Sequence, residues 1–233
     1  MIEIKTIATG SKGNCYRISD GSTPLLLEAG ISFKQIQQGV NFETSNLAGV
    51  LISHAHQDHC KGVESCLKRG MTVYMSQGTK DDMGSSNKQI RIVKSKEQFR
   101  IGTWTILPFD VQHDVNEPLG YLLQSDNGSK ILFATDTFYV KYRFSGLTHI
   151  LIECNYDQQT LDENVASGKI HPAMRKRVMK SHFSLENLLN FFVANDLSKV
   201  EEIHLLHLSD NNSNEERIFK AVARATGKMI YIP

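Results

Sequence analysis

The segment His54-Ala55-His56-Gln57-Asp58-His59 puts three imidazoles and a carboxylate into six residues, directly after the apolar run Gly49-Val50-Leu51-Ile52. Neutral imidazole is the commonest protein ligand for divalent transition metals, and a carboxylate beside it offers an oxygen ligand for a second ion. One ion cannot easily use all four groups. If His54 and His56 point to one side and Asp58 and His59 to the other, the loop suits two ions at the ~3.5–4 Å spacing of two-metal hydrolases. Further ligands then have to come from far along the chain. His113, Asp136 and His207 each close an apolar, strand-like run, which is where the loops of a sheet converge. The expected assignment has His113 completing the first site, His207 the second, and Asp136 bridging, with room left for water at each ion. Separately satisfied structural histidines fit this ordered set poorly. A metal site retained without catalysis is the intermediate reading, and no ligand is missing to favour it.

The order and spacing of these groups resemble those of the metallo-β-lactamase-fold hydrolases, from one end of the chain to the other. More narrowly the chain resembles the YycJ/WalJ-type, exonuclease-like branch. The resemblance rests on Thr9-Gly10-Ser11-Lys12-Gly13-Asn14-Cys15, Leu25-Leu26-Leu27-Glu28-Ala29-Gly30, the His54 loop, Ile152-Glu153-Cys154-Asn155-Tyr156-Asp157 and His207-Leu208-Ser209-Asp210-Asn211-Asn212. It implies a carboxylate supporting the metal loop at Glu28, where the family usually has Asp; Glu keeps the charge on a longer arm.

Ser181-His182-Phe183-Ser184 resembles the His-Ser-Thr element of ribonuclease Z, and Ile152-Glu153-Cys154 resembles that family's Glu-bearing strand end. The resemblance implies that Glu153 orients His182, whose imidazole assists the leaving oxygen and is favoured in its protonated form by the carboxylate. A solvent-facing His182 at a helix start and an ordinary strand-end Glu153 are the bland alternative. Contacts to substrate are expected from Ser11 and Asn14, if the Thr9–Asn14 loop forms an anion nest rather than a plain hairpin turn. Others are expected from Asn155 and from Arg175 and Arg177 in the basic stretch 155–181, which reads equally as a solvated helix face and carries no interleaved aromatic platform. His149, His171 and His204 read as structural, and Cys60 as a small buried hydrophobe beside the ligand loop.

The elements that must position these groups are mostly strands. Apolar runs predict them near 2–8, 14–19, 24–28, 49–53, 72–75, 90–93, 103–109, 119–125, 130–135, 148–153, 203–207 and 229–232. Helices are expected over Cys60–Arg69, Asn214–Thr226 (Ile218, Val222 and Ala221 inward) and, most clearly, Ser184–Asn195. There Ser184 suits the N-cap and Leu185, Leu188, Leu189 and Phe192 form one stripe. This pattern fits an α+β fold of two mixed sheets packed face to face under helices, and the resemblance specifies a four-layer αβ/βα sandwich forming a single domain over 1–233. The chain's 233 residues suffice for one sizeable core, and no linker or repeat divides it.

The formal net charge of +1 makes any phosphate recognition local. Cys15, Cys60, Cys66 and Cys154 show no paired framework, the N-terminal residues lack a signal-peptide pattern, and no run reaches membrane-spanning length, so a soluble cytoplasmic protein is expected. Oligomeric state is not readable.

The function expected is metal-dependent phosphodiester hydrolysis of DNA or RNA, or of a smaller phosphodiester, with two divalent ions. Zn²⁺ is the simplest choice, and Mn²⁺ and Fe²⁺ suit the same donors. Asp58 would hold the attacking hydroxide in line and His182 would serve the departing oxygen. Competing readings are an ester, thioester or lactone hydrolase using the same ligands, an oxygen-reducing di-iron protein, disfavoured by Gln57 and the lack of room for a flavin domain, and a non-enzymatic nucleic-acid-binding module.

Overall fold

The computed structural model describes all residues from Met1 to Pro233. In chain order the strands are β1 (Glu3–Ala8), β2 (Cys15–Ser19), β3 (Leu25–Leu27), β4 (Val50–Leu51), β5 (Val73–Met75), β6 (Ile90–Ile92), β7 (Phe99–Ile101), β8 (Trp104–Asp110), β9 (Leu119–Ser125), β10 (Lys130–Ala134), β11 (His149–Glu153), β12 (Glu202–Leu206) and β13 (Met229–Tyr231). The helices are α1 (Phe33–Gly39), α2 (Gln57–Cys60), α3 (Val63–Leu67), α4 (Gln77–Met83), α5 (Gln158–Ala166), α6 (Pro172–Ser181), α7 (Leu185–Ala194) and α8 (Glu215–Thr226). They form two mixed sheets, ordered β1-β2-β3-β4-β5-β6 and β13-β12-β11-β10-β9-β8-β7, so the fold is α+β as expected. The chain divides into two compact units, Met1–Asp110 with Val115–Ser129, and Val111–Asp114 with Lys130–Pro233.

In the first unit, β1-β2-β3 pair antiparallel and β3 to β6 run parallel. Their apolar face buries Leu26, Val50, Ile52, Val73 and Met75 against Phe33 and Ile36 of α1 and Val63, Cys66 and Leu67 of α3. Each such side chain withdrawn from water contributes roughly 1.5–3 kcal/mol. The antiparallel ladder β7-β8-β9 belongs to the same unit and docks through polar ends of buried aromatic side chains: Trp104 Nε1 donates to Thr23 O at 2.8 Å and Tyr121 Oη to Ile52 O at 2.6 Å. Tyr121 thereby fixes the strand end from which the histidine loop departs.

In the second unit β10, β11, β12 and β13 are parallel. Such strands are buried on both faces, which accounts for the unbroken apolar runs Ile131-Leu132-Phe133-Ala134 and Ile150-Leu151-Ile152. Helix α7 starts at Ser184, whose Oγ accepts from the Asn187 amide, and buries Leu185, Leu188, Phe191 and Phe192; Leu189 of the expected stripe is half-buried and Phe191 takes the inner place. Helix α8 buries Ile218 and Val222 and leaves Ala221 half-buried.

Two expectations need correction. The helix expected over Cys60–Arg69 is split into α2 and α3, with Asp58 and His59 inside α2. Gly62 causes the break: its amide donates to Ala29 O at 2.7 Å, and a Cβ there would lie 2.5 Å from Ile31 O, so backbone packs where a continuous helix would carry a side chain. His182 does not begin the strong helix. It is the C-cap of α6, with extended backbone, two residues before the cap Ser184.

Candidate metal centre

The first unit presents the histidine loop as two donor pairs. His54 Nε2 and His56 Nδ1 lie 3.1 Å apart, and Asp58 Oδ2 and His59 Nε2 lie 3.4 Å apart. His54 and His59 are buried, while His56 and Asp58 are partly exposed. A separation near 3 Å between two ring nitrogens is what two ligands of one ion require when each metal–nitrogen bond is ~2.0–2.1 Å. His54 is paired with His56 through these nitrogens, and its ring also lies 4.1 Å, centroid to centroid, from that of His59.

Groups behind the loop set these positions. Ser53 Oγ contacts His54 Nδ1 at 2.8 Å, which leaves Nε2 to serve as the ligand atom. Glu28 is fully buried, accepts from the Ser53 amide at 3.1 Å and approaches His59 Nδ1 at 3.6 Å. Burial pushes the Glu28 carboxyl up, with His59 and Ser53 offsetting part of that rise. Asn14, also fully buried, donates from Nδ2 to Asp58 O at 3.2 Å and lies 3.2 Å from His59 Nε2; its own amide donates to Asp58 O at 2.7 Å. Asn14 thus ties the β1–β2 turn to the ligand loop. The Thr9–Asn14 segment is a turn closed by Gly13 N donating to Gly10 O and by Asn14 on Gly10, with Ser11 exposed at its tip. Cys60 donates to Ala55 O, and its thiol is pushed up to about 11, chiefly by burial, so it is held protonated behind the ligands.

The second unit assembles Asp136, Glu153, His182 and His207, whose ligand atoms lie within 4.8 Å of one another. Asp136 and His207 both have positive φ (45° and 54°), a strained conformation for non-glycine residues that is concentrated at functional sites. Asp136 Oδ1 is 3.7 Å from His207 Nδ1 and Oδ2 is 3.8 Å from His113 Nε2, so its two oxygens address two different imidazoles. Thr135 Oγ1 donates to Asp136 Oδ1. His113 Nδ1 lies 3.0 Å from Ser181 O, an acceptor only, so Nδ1 carries the proton and Nε2, toward Asp136, is the candidate ligand atom. Burial lowers the His113 imidazole, with Asp136 opposing, and this favours the neutral form that a metal takes.

Glu153 is fully buried. Its Oε1 contacts His182 Nδ1 at 2.6 Å and His207 Nδ1 at 3.1 Å, while Oε2 accepts the amides of Thr137 and Phe183. Burial alone would raise Glu153, but the His182 charge and these hydrogen bonds hold it below the ordinary carboxylate value. For His182, burial pulls downward and the Glu153 carboxylate outweighs it, so the imidazole is raised. Asn155 Nδ2 donates to His207 O at 3.0 Å and approaches His207 Nδ1 at 3.1 Å, which makes it a positioning residue for His207. In α6, Arg175 is tied to Asp162 at 2.8 Å, whereas Arg177 is exposed, 3.5 Å from Asp114. The remaining histidines are structural: His149 meets Thr148 Oγ1, His171 caps α6, and His204 pairs with Glu202 and stacks on Tyr231.

A donor set of imidazoles and carboxylates, with no thiolate among them, suits a divalent cation. The family model for the beta-lactamase superfamily domain matches residues 23–200. The chain belongs to this superfamily. Among curated proteins it is similar to exodeoxyribonuclease WalJ of Streptococcus pneumoniae serotype 2 strain D39, at 30% identity over 227 residues, covering 90% of this chain and 82% of WalJ. It is also similar to exodeoxyribonuclease YycJ of Bacillus anthracis, at 27% identity over 236 residues, covering 92% and 85%. Among solved structures, the metallo-beta-lactamase fold protein YhfI of Bacillus subtilis aligns with TM-score 0.75 at 14% identity over 100% of this chain and 96% of YhfI. Human tRNase Z, short form, aligns with TM-score 0.64 at 13% identity, covering 93% and 94%. These last two likenesses establish the fold. No helix is long and apolar enough to cross a membrane.

Sequence reasoning passed over Ser53, Thr135 and Gly30. Ser53 and Thr135 have a local signal, since each immediately precedes a ligand candidate. A Cβ on Gly30 would lie 1.6 Å from Asp58 O, a contact between segments that no local pattern reveals.

Proposed function

We propose that the two units act as one hydrolase domain over residues 1–233, a metal-dependent phosphodiesterase that degrades DNA from an end. The observation that carries this reading is the division of the histidine loop into two donor pairs. The similarity to two exodeoxyribonucleases supports the substrate class. His54, His56 and His113 would hold one divalent ion, Asp58, His59 and His207 a second, and Asp136 would be shared between them. Such ions, Zn²⁺ in the simplest case, supply Lewis acidity to phosphoryl oxygens and acidify water to a pKa of about 7. Asp58 then orients the attacking oxygen in line with phosphorus. Glu153 keeps the proton of His182 on Nδ1 and stabilises its cationic form, so that Nε2 delivers a proton to the departing oxygen. Arg177, exposed on α6, is the basic side chain suited to meet a neighbouring phosphate.

The test is a metal-supplemented panel of end-labelled single- and double-stranded DNA and RNA beside bis(p-nitrophenyl) phosphate, lactones and thioesters. Mononucleotide release from DNA, abolished by Asp58→Ala and by His56→Ala with circular dichroism unchanged, is expected. Turnover of lactones or thioesters with none of any phosphodiester would overturn the reading in favour of a carbonyl hydrolase.

A further inference from the structure

The segment following Asp136 and Thr137 reads Phe138-Tyr139-Val140-Lys141-Tyr142-Arg143-Phe144, aromatic rings interleaved with cations. It has no regular secondary structure, yet it is pinned at both ends. The Phe138 amide donates to Gln112 O, Asn187 Nδ2 donates to Phe138 O at 3.0 Å, and the Phe144 amide donates to Asn195 Oδ1 at 2.6 Å. Held this way, the segment forms with α7 a cleft of about 270 Å³. Tyr139, Lys141, Tyr142, Arg143, Asn187 and Asn190 line it, and no acidic side chain does.

Tyr139 is 53% exposed and Phe138 36%, although large rings normally gain more from burial. Nothing in the tethering of the backbone requires aromatic side chains at the mouth. Lys141 and Arg143 are exposed, and the Lys141 ammonium lies 5.2 Å from the centroid of the Tyr142 ring. The volume is below that of most sites for drug-sized ligands, ~300–1,000 Å³. It suits one planar unit of a longer chain. Exposed π-faces, cations at alternate positions and amide groups that both donate and accept are the recognition chemistry of an unpaired nucleotide strand. The cleft begins three residues after Asp136, close along the chain to the proposed scissile position.

We propose that this cleft binds the single-stranded DNA flanking the phosphate to be cut. One base stacks on Tyr139, and Lys141 and Arg143 each meet a backbone phosphate. The proposal deepens the phosphodiesterase reading and rests on it for its direction toward DNA.

The deciding measurement is fluorescence anisotropy of a 5′-fluorescein oligothymidylate with the protein in chelator, where no cleavage occurs. Tyr139→Ala should weaken binding roughly tenfold, as loss of a base–aromatic stack does, while Tyr139→Phe, which keeps the ring, should bind like the parent. The double variant Lys141→Ala/Arg143→Ala should lower the slope of log K against log salt by about 1.4, or ~0.7 per single-strand phosphate contact. Unchanged affinity and slope, or Tyr139→Phe as weak as Tyr139→Ala, would overturn the proposal. Because binding needs no turnover, this result stands apart from the assay of the catalytic reading. DNA cleavage by the parent with unaltered binding by the variants removes only the cleft, and altered binding with no cleavage removes only the reaction.

Discussion

His182 Nδ1 lies 2.6 Å from Glu153 Oε1, and Glu153 is itself locked by the amides of Thr137 and Phe183 on its other oxygen. Rotating the imidazole would break this contact and leave Oε1 with His207 Nδ1 alone, at 3.1 Å. This contact commits Nδ1 of the ring, and the proposed acid role rests on the other nitrogen.

If His182 serves the departing oxygen, its importance scales with how badly that oxygen needs a proton. His182→Ala should lower kcat on DNA by about 10²–10⁴-fold, the usual worth of general acid catalysis. On bis(p-nitrophenyl) phosphate, whose leaving group needs no proton, the loss should be under tenfold. Steady-state kinetics on the two substrates checks this, and equal losses on both would count against the acid role.

Glu28 supports the loop through the Ser53 amide and His59. Glu28→Gln keeps the size but loses the charge that steadies the imidazole, so metal affinity should fall about 10–100-fold with the fold retained. Competition against a chromophoric chelator measures it.

Gly30 admits Asp58 O so closely that a methyl group would lie 1.6 Å from it. Gly30→Ala has to displace the α2 backbone and should cost on the order of 3 kcal/mol or more. Urea denaturation of the metal-free protein reads this directly, and a loss below about 1 kcal/mol would show that the loop yields easily.

Asp20 offers a test of pH dependence away from the metal ligands. Burial would raise its carboxyl, but hydrogen bonds from Ser125, Thr103 and the amides of Thr23 and Ser22 outweigh it and bring it to about 2. That is below the ~3.9 of an unstructured aspartate, so the ionised form favours the folded state. The advantage of the parent over Asp20→Asn, on the order of 1–2 kcal/mol, should be complete above about pH 4 and vanish as pH falls toward 2. Urea midpoints of both proteins across that range would reveal it.

The strands were legible because parallel, doubly buried segments such as Ile150-Leu151-Ile152 leave an uninterrupted apolar trace. Three-residue β7, and helices α1 and α4 with seven residues each, are too short to show a period. Helices α5 and α6 bury little, so no apolar stripe announces them, and their N-caps Asp157 and His171 are the local features that start them. His182, expected at the start of the strong helix, instead closes α6, a helix with too little apolar periodicity to be read from the sequence. The ligand candidates declare themselves by type and position. Their supports do not, since Asn14, Glu28 and Gly30 act by meeting residues about thirty or forty positions away.

Those supports join main chain to main chain. Asn14 N meets Asp58 O, Gly30 N meets Asn14 O, Ala29 N meets His59 O and Gly62 N meets Ala29 O, all between 2.7 and 2.9 Å. Three stretches of backbone are thus sewn together behind the ligand loop, independently of any side chain that would touch an ion. The mould exists before the casting: loading or stripping cations should leave amide exchange at His59, Cys60, Lys61 and Gly62 slow, and one metal should replace another without the polypeptide reorganising to receive it.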